Sequence, residues 1–148
     1  MQDSTGDPIM SRLSADASTA NTTATDSGLQ FEIGPNEIWT FEIIGACQKS
    51  TLTAGQKFAV AVPTAAVFMA TVFAGLAAGT FADNQLTASG TLSATAFNTQ
   101  AAVDRILRVH GTVVNGANAG QVKFQHASIT SGNSIIKANT ILVARRIA

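Results

Sequence analysis

Residues 29–47 read LQFEIGPNEIWTFEIIGAC, and this stretch decides the fold class. Apolar and polar residues alternate in 29–33, which is the period of a β-strand with one buried face. Residues 34–37, GPNE, break the pattern with turn-forming chemistry. A second strand, 38–47, then carries on one face Trp39, Phe41 and Ile43. The pattern predicts that the two strands form a hairpin.

Six more segments show strand patterns and are separated by turn residues. They are 57–62, 67–75, 91–97, 106–114, 121–127 and 135–147, with 76–79, 83–90 and 128–133 as loops. The turn 115–120, NGANAG, joins 106–114 to 121–127 as the clearest hairpin. Residues 67–75, VFMATVFAG, are apolar on both faces. We predict one all-β domain over 27–148, an antiparallel β-sandwich or jelly-roll-like domain of about eight strands.

Residues 1–26 differ from the rest of the chain in composition and in charge. They hold one arginine against four aspartates, a net charge of −3, whereas residues 27–148 have a net charge of +3. The Ser-, Thr- and Ala-rich segment 11–26 has no sustained apolar period and cannot offset its own ordering entropy. We therefore predict an extended N-terminal arm. Its acidic residues fold back on the basic body, dock on a neighbouring subunit, or simply solvate a tail.

Four apolar residues in this arm are the expected points of contact with partner subunits. They are Pro8, Ile9, Met10 and Leu13. Low overall charge supports a covered surface: only 12% of the 148 residues are charged, against about 25% in typical soluble domains. A surface so poor in charge is expected to be covered in part by partners.

The sequence shows no set of residues that would carry catalysis or hold a cofactor. Cys47 is the single cysteine, so no internal disulfide forms, and His110 and His126 lack metal-ligand spacing. Both histidines are predicted on the strands of one hairpin, as packing or surface groups. The net charge of zero gives no sign of nucleic-acid binding, and no run of about 20 apolar residues suits a membrane. We expect no enzyme activity, no metal and no cofactor.

Three segments resemble parts of small bacteriophage virion structural proteins. The first is LQFEIGPNEIWTFEI at 29–43, the second RVHGTVVNGANAGQVKFQHA at 108–127, and the third IIKANTILVARRI at 135–147. In the third segment Asn139 stands where the related pattern usually has glycine, and Thr140 where it has serine. The resemblance spans nearly the whole predicted body.

The resemblance implies a capsid decoration, or cement, protein. Such a protein would bind the major capsid protein on the outer shell through its arm, associate with itself as a homotrimer, and be located in the virion after synthesis in the host cytoplasm. A tail-fibre, tail-tip or head-fibre module involved in host attachment is the alternative. In that case the loops 76–90 and 128–133 would face the host.

Overall fold

The structure is a computed structural model that describes residues 6–51, 55–76, 79–97, 101–130 and 132–148. The described residues form eleven strands and no helix, which confirms the predicted all-β class. The strands are β1 (Ile9–Arg12), β2 (Ala17–Thr19), β3 (Thr25–Ile33), β4 (Ile38–Lys49), β5 (Gln56–Ala61), β6 (Val67–Gly75), β7 (Phe81–Leu86), β8 (Arg105–Val114), β9 (Gly120–Ser128), β10 (Ser134–Ile136) and β11 (Ile141–Arg146).

The strands form two antiparallel sheets that pack into a sandwich. The large sheet has the order β1-β11-β4-β8-β6-β7, with β10 also paired to β4 and β2 paired to β10. The small sheet has the order β3-β9-β5. The alternation in 29–43 is confirmed by the core contacts. The ring of Phe31 on β3 lies 5.4 Å from that of Trp39 and 6.0 Å from that of Phe41, both on β4.

Both predicted hairpins are wrong, because each turn joins strands of different sheets. Strand β3 pairs with β9 and not with β4, and strand β8 pairs with β4 and β6 and not with β9. Turn residues indicate where the chain reverses, but they do not fix which strand lies beside which. Here the chain reverses across the core, so that the apolar faces of β3 and β4 meet instead of lying side by side.

The two connections between sheets lie next to each other and bond to each other. The Asn36 amide donates to the Gly116 carbonyl at 2.7 Å, and the Asn115 amide donates to the Glu37 carbonyl at 2.9 Å. The buried side chain of Asn115 adds two bonds, from Nδ2 to the carbonyl oxygens of Gly34 at 2.7 Å and Asn118 at 2.8 Å. The backbone groups of both turns are thus satisfied without a ladder partner.

Glu37 holds this corner to the last strand. Its carboxylate accepts hydrogen bonds from the Gly34 amide at 2.7 Å and from Trp39 Nε1 at 2.8 Å, and it lies 3.1 Å from Nη1 of Arg146. Burial alone would raise the pKa of Glu37. The two hydrogen bonds and the Arg146 charge outweigh burial, so this pKa lies below its usual value.

Part of the predicted arm lies in the body's own sheet, which the sequence did not predict. Strand β1 pairs with β11, and strand β2 pairs with β10, along one edge of the large sheet. Asp16 accepts hydrogen bonds from Lys137 Nζ at 2.6 Å and from the Ala138 amide at 2.8 Å. Asp26 lies 2.8 Å from Lys123 Nζ. Asp16 and Asp26 therefore follow the first of the three alternatives, since both bind basic residues in the body of their own chain. Asp3 lies outside the described residues.

Three further strand predictions need correction. Residues 91–97 form no strand and pair only through an isolated bridge at Phe97, whereas the predicted loop 83–90 contains most of β7. The predicted strand 135–147 is divided into β10 and β11 by a turn in which Asn139 has a φ of 67°. Asn139 therefore adopts the left-handed conformation that glycine accepts most easily, and asparagine is among the next most tolerant residues.

The corner predicts the effect of one substitution. Asn115→Ala removes two buried hydrogen bonds and leaves the carbonyl oxygens of Gly34 and Asn118 without that donor. We expect the free energy of unfolding, measured by urea denaturation, to fall by about 2 kcal/mol. Asn118→Ala is the matched control, because only the backbone oxygen of this exposed residue takes part, and it should change stability little. Equal losses in the two variants would contradict this role of Asn115.

Candidate interaction surface

The two outer faces of the sandwich differ in chemistry. The outer face of the small sheet is polar and carries short-range pairs, such as Lys123 with Asp26 and Gln121 with Glu32 at 2.6 Å. The outer face of the large sheet carries the exposed apolar side chains. The term outer face, used alone, refers from here on to this surface of the large sheet. A solvated strand surface is normally polar, so the outer face of the large sheet is the exception.

All nine large apolar side chains that are exposed among the described residues belong to the outer face. They are Met10, Ile44, Val67, Met69, Phe73, Phe81, Ile106, Val114 and, just past the end of β11, Ile147. Val67 is 71% exposed and Met10 is 67% exposed. Single exposed apolar residues are common on any protein surface, so the informative feature is that these nine share one face. Nine on one face, grouped around a polar centre, form an apolar surface of the kind that marks an interaction site.

The strand register arranges the outer face in rows that cross the sheet. One row contains Met10, Val143, Glu42, His110, Thr71 and Gln85. The next row contains Arg12, Ile141, Ile44, Arg108, Phe73 and Asp83. On the other side of the first row lie Arg145, Thr40, Thr112 and Met69, followed by Ile38, Val114 and Val67. Basic, acidic and apolar groups therefore occupy fixed positions on one plane.

A shallow hollow of about 610 Å³ opens in the middle of the outer face. Three threonines line it, together with Glu42, His110 and Arg145. The short threonine side chains leave the space, and longer side chains surround it. Arg108 Nη2 donates to Glu42 Oε1 at 2.8 Å beside it. This pair is exposed and contributes little to stability.

The four residues expected to contact partners do not share one environment. Pro8 is exposed, and Met10 points outward at the edge of the outer face. Ile9 packs partly against the core, and Leu13 is buried in it with 8% exposure. In this chain, Leu13 and Ile9 hold the N-terminal segment to the body. Contact with a partner subunit by Pro8 and Met10 stays a prediction.

The histidines lie in different sheets and do not approach each other across one hairpin. His110 is exposed on β8, and His126 is buried on β9. The hydroxyl of Ser134 donates to Gln56 Oε1 at 2.9 Å, so its oxygen accepts from Nδ1 of His126, also at 2.9 Å. Burial lowers the pKa of His126 to about 4. This histidine is therefore a neutral packing group.

Three further features concern possible metal ligands, the cysteine and the adjacent arginines. No group of three His, Cys, Asp or Glu side chains is placed to hold a metal ion there. Burial raises the pKa of the Cys47 thiol to about 12, which removes its nucleophilic form at neutral pH. Arg145 and Arg146 point to opposite faces, as adjacent strand residues do, and Arg146 pairs with Glu37.

The outer face was not predicted as a site, although one signal for it was in the sequence. Residues 67–75 are apolar at nearly every position, so the sequence predicts a strand that is apolar on both faces. Strand β6 buries one face and exposes Val67, Met69 and Phe73 on the other. A strand that is apolar on both faces but has cover on only one predicts an interface.

Comparisons with known proteins add little. No family model and no curated protein matches the chain. Solved structures with some likeness include the infectious bursal disease virus VP2 subviral particle, at 14% identity, with 99% of this chain and 38% of that chain covered and a TM-score of 0.26. Infectious bursal disease virus Gx strain matches at 14% identity over 97% of this chain and 42% of that chain, with a TM-score of 0.21. This chain spans about two fifths of their length, and at these TM-scores nothing further is inferred from them.

No helix in the described ranges has the length and apolar character needed to cross a membrane.

The buried histidine predicts how stability depends on pH. The folded state holds His126 with a pKa of about 4, against 6.5 for the free side chain. The unfolded chain therefore binds a proton first as the pH falls, and the free energy of unfolding should drop by about 3 kcal/mol between pH 6.5 and pH 4. Urea denaturation at pH 7.5 and pH 4.5 measures this drop. His126→Gln should flatten the decline, whereas His110→Gln should leave it unchanged.

Proposed function

We propose that this chain is a structural subunit of a virus particle that decorates the outer capsid shell and stabilises it. The observation that carries the proposal is the outer face, where every exposed large apolar side chain of the described residues lies. Burying one such side chain contributes about 1.5–3 kcal/mol. A surface of this kind favours permanent coverage by protein, which is what a shell subunit has.

The proposal that this virus is a bacteriophage rests on the resemblance of 29–43, 108–127 and 135–147 to bacteriophage virion proteins. The partners in this proposal are the major capsid protein and further copies of the same chain, which the resemblance places around a threefold axis. The protein would act by contact area and would need no cofactor, metal or catalytic step. Its place would be the surface of the virion.

The N-terminal segment has a specific part in this proposal. Residues 9–12 run along the edge of the outer face, where Met10 and the preceding Pro8 are exposed. Residues 1–8 precede the first strand and include Asp3 and Asp7. We assign contact with neighbouring coat subunits to residues 1–8 together with Met10. Several weak contacts of this kind on one shell combine into avidity.

A short truncation tests the arm. Deleting residues 1–8 should leave the free energy of unfolding within about 0.5 kcal/mol of the full chain, because these residues precede β1. Binding to purified undecorated shells, measured by co-sedimentation, should be lost. Deleting residues 1–26 is a poorer test, since it also removes Leu13 from the core and Asp16 from Lys137. Full occupancy of shells by the 1–8 deletion would show that the arm is not the binding element.

The copy number in purified virions separates decoration from host attachment. We expect a stained gel to give hundreds of copies per particle, and imaging of particles to place them on the shell. A handful of copies at the tail would contradict decoration and support the tail-fibre or tail-tip alternative. Host-binding assays would then take the place of shell binding.

A further inference from the structure

We infer that the outer face binds a second copy of this chain, face to face, about a twofold axis that runs parallel to the strands between β4 and β8. This deepens the proposed function, which names the chain itself as a partner, and it replaces the threefold arrangement implied by the resemblance with a twofold pair whose contacting surfaces it names. The inference starts from the positions that the strand register fixes on the outer face. It does not depend on residues 1–8 or on the capsid protein.

The size of the outer face suits a stable pair. Six strands about 4.8 Å apart, paired over about seven residues on average with a rise of about 3.3 Å each, cover roughly 650 Å². A standard protein interface buries about 800 Å² on each partner. The chain therefore has a surface of mixed apolar and polar groups that approaches the area one interface needs.

A twofold axis along the strands brings complementary groups together. Each strand then lies over its counterpart from the opposite side of the sheet: β1 over β7, β11 over β6 and β4 over β8. Residues of one row stay in that row. Arg12 of one copy is placed over Asp83 of the other, at both ends of the pair. Near the axis, Glu42 of one copy is placed over His110 of the other.

Three pairs of apolar groups match in the same arrangement, whereas Arg108 is placed over Ile44 of the second copy and Arg145 over Met69. Ile141 on β11 is placed over Phe73 on β6 of the second copy, and Ile38 on β4 over Val114 on β8. Ile147, whose amide bonds to the Ile38 carbonyl, is placed over Val67. These contacts occupy the rows at either end of the face.

A twofold axis across the strands is less favourable. Under this rotation each strand lies over the same strand of the second copy, and the order of the rows is reversed. When the row of Glu42 lies at the centre, Glu42 of one copy faces Glu42 of the other. Like charges in direct opposition are destabilising. For that centre the charge positions favour the axis parallel to the strands, although Glu42 is also paired with Arg108 of its own copy.

The central hollow is compatible with the pair. Its threonine hydroxyls, Glu42 and His110 are groups that can bind water retained between the copies, and ordered interfacial waters carry a small free-energy cost. Two twisted sheets pack face to face with their strands at about 30°. Residues near the axis shift least under this rotation, and the long arginine side chain accommodates the shift at the edge.

Sedimentation velocity on the full chain tests the inference directly. We expect a dimer in solution, and Val67→Glu should convert it into a monomer, because the charge at this exposed position would be buried without a partner. Glu32→Arg, on the outer face of the small sheet, is the control and should remain a dimer. Circular dichroism checks that each variant is folded. A trimer, a monomeric wild type, or a Val67→Glu dimer would overturn the proposed pair.

Charge reversal tests the predicted orientation. Arg12→Asp alone and Asp83→Arg alone each place like charges together twice in a pair, and we expect each to weaken self-association about tenfold. An equimolar mixture of the two variants forms heterodimers in which both pairs are again opposite in charge. Mixing should therefore restore association, as should the double variant. If mixing restores nothing, this axis is wrong.

These outcomes are independent of the shell. A dimer that does not bind particles would contradict decoration and leave the pair standing. A monomer or a trimer that binds particles in many copies would support decoration and overturn the pair.

Discussion

The rest of the structure depends on the hydrogen bonds between the turn 34–37 and the turn 115–118. Each turn carries the chain from one sheet to the other, and neither has a ladder partner for its backbone groups. Asn115 supplies the missing donors from inside the corner, and Glu37 ties the same corner to Trp39 and Arg146. Because both connections are fixed at one end, β3 is held over β4 and β9 is held in the small sheet beside β3. The apolar faces of the two sheets can then meet in one core.

This arrangement leaves the two outer faces with different tasks. The small sheet is covered by its own polar pairs, such as Asp26 with Lys123, and is suited to solvent. The large sheet presents methionine, valine, isoleucine and phenylalanine side chains in register with a few charges. The N-terminal segment extends the large sheet at its edge and adds Met10 and Arg12 to that surface. An edge strand usually exposes unpaired backbone groups, and here β1 and β2 cover that edge of β11 and β10.

The sequence predicted the strands better than their partners. Alternation located β3, β4, β8 and β9 and placed Phe31, Trp39 and Phe41 inward, because a period of two depends only on local burial. It could not choose between a hairpin and a connection across the core, since both use the same turn residues. The segment 9–19 was missed because its order comes from residues more than 100 positions away, such as Lys137 holding Asp16. The outer face was missed for the opposite reason: apolar residues predict burial, and a single chain does not show what covers them.

The partners of β4 also determine when the large sheet can form during synthesis. This twelve-residue strand pairs with β8 on one side and with β10 and β11 on the other. All three of its partners are made more than 50 residues later, so a long apolar strand leaves the ribosome with both edges open. Pairings between distant segments are slow to form, and open edges are prone to aggregate. Completion of the large sheet has to wait for β11, and production of this protein should depend on how well the cell protects β4 until β11 has been made.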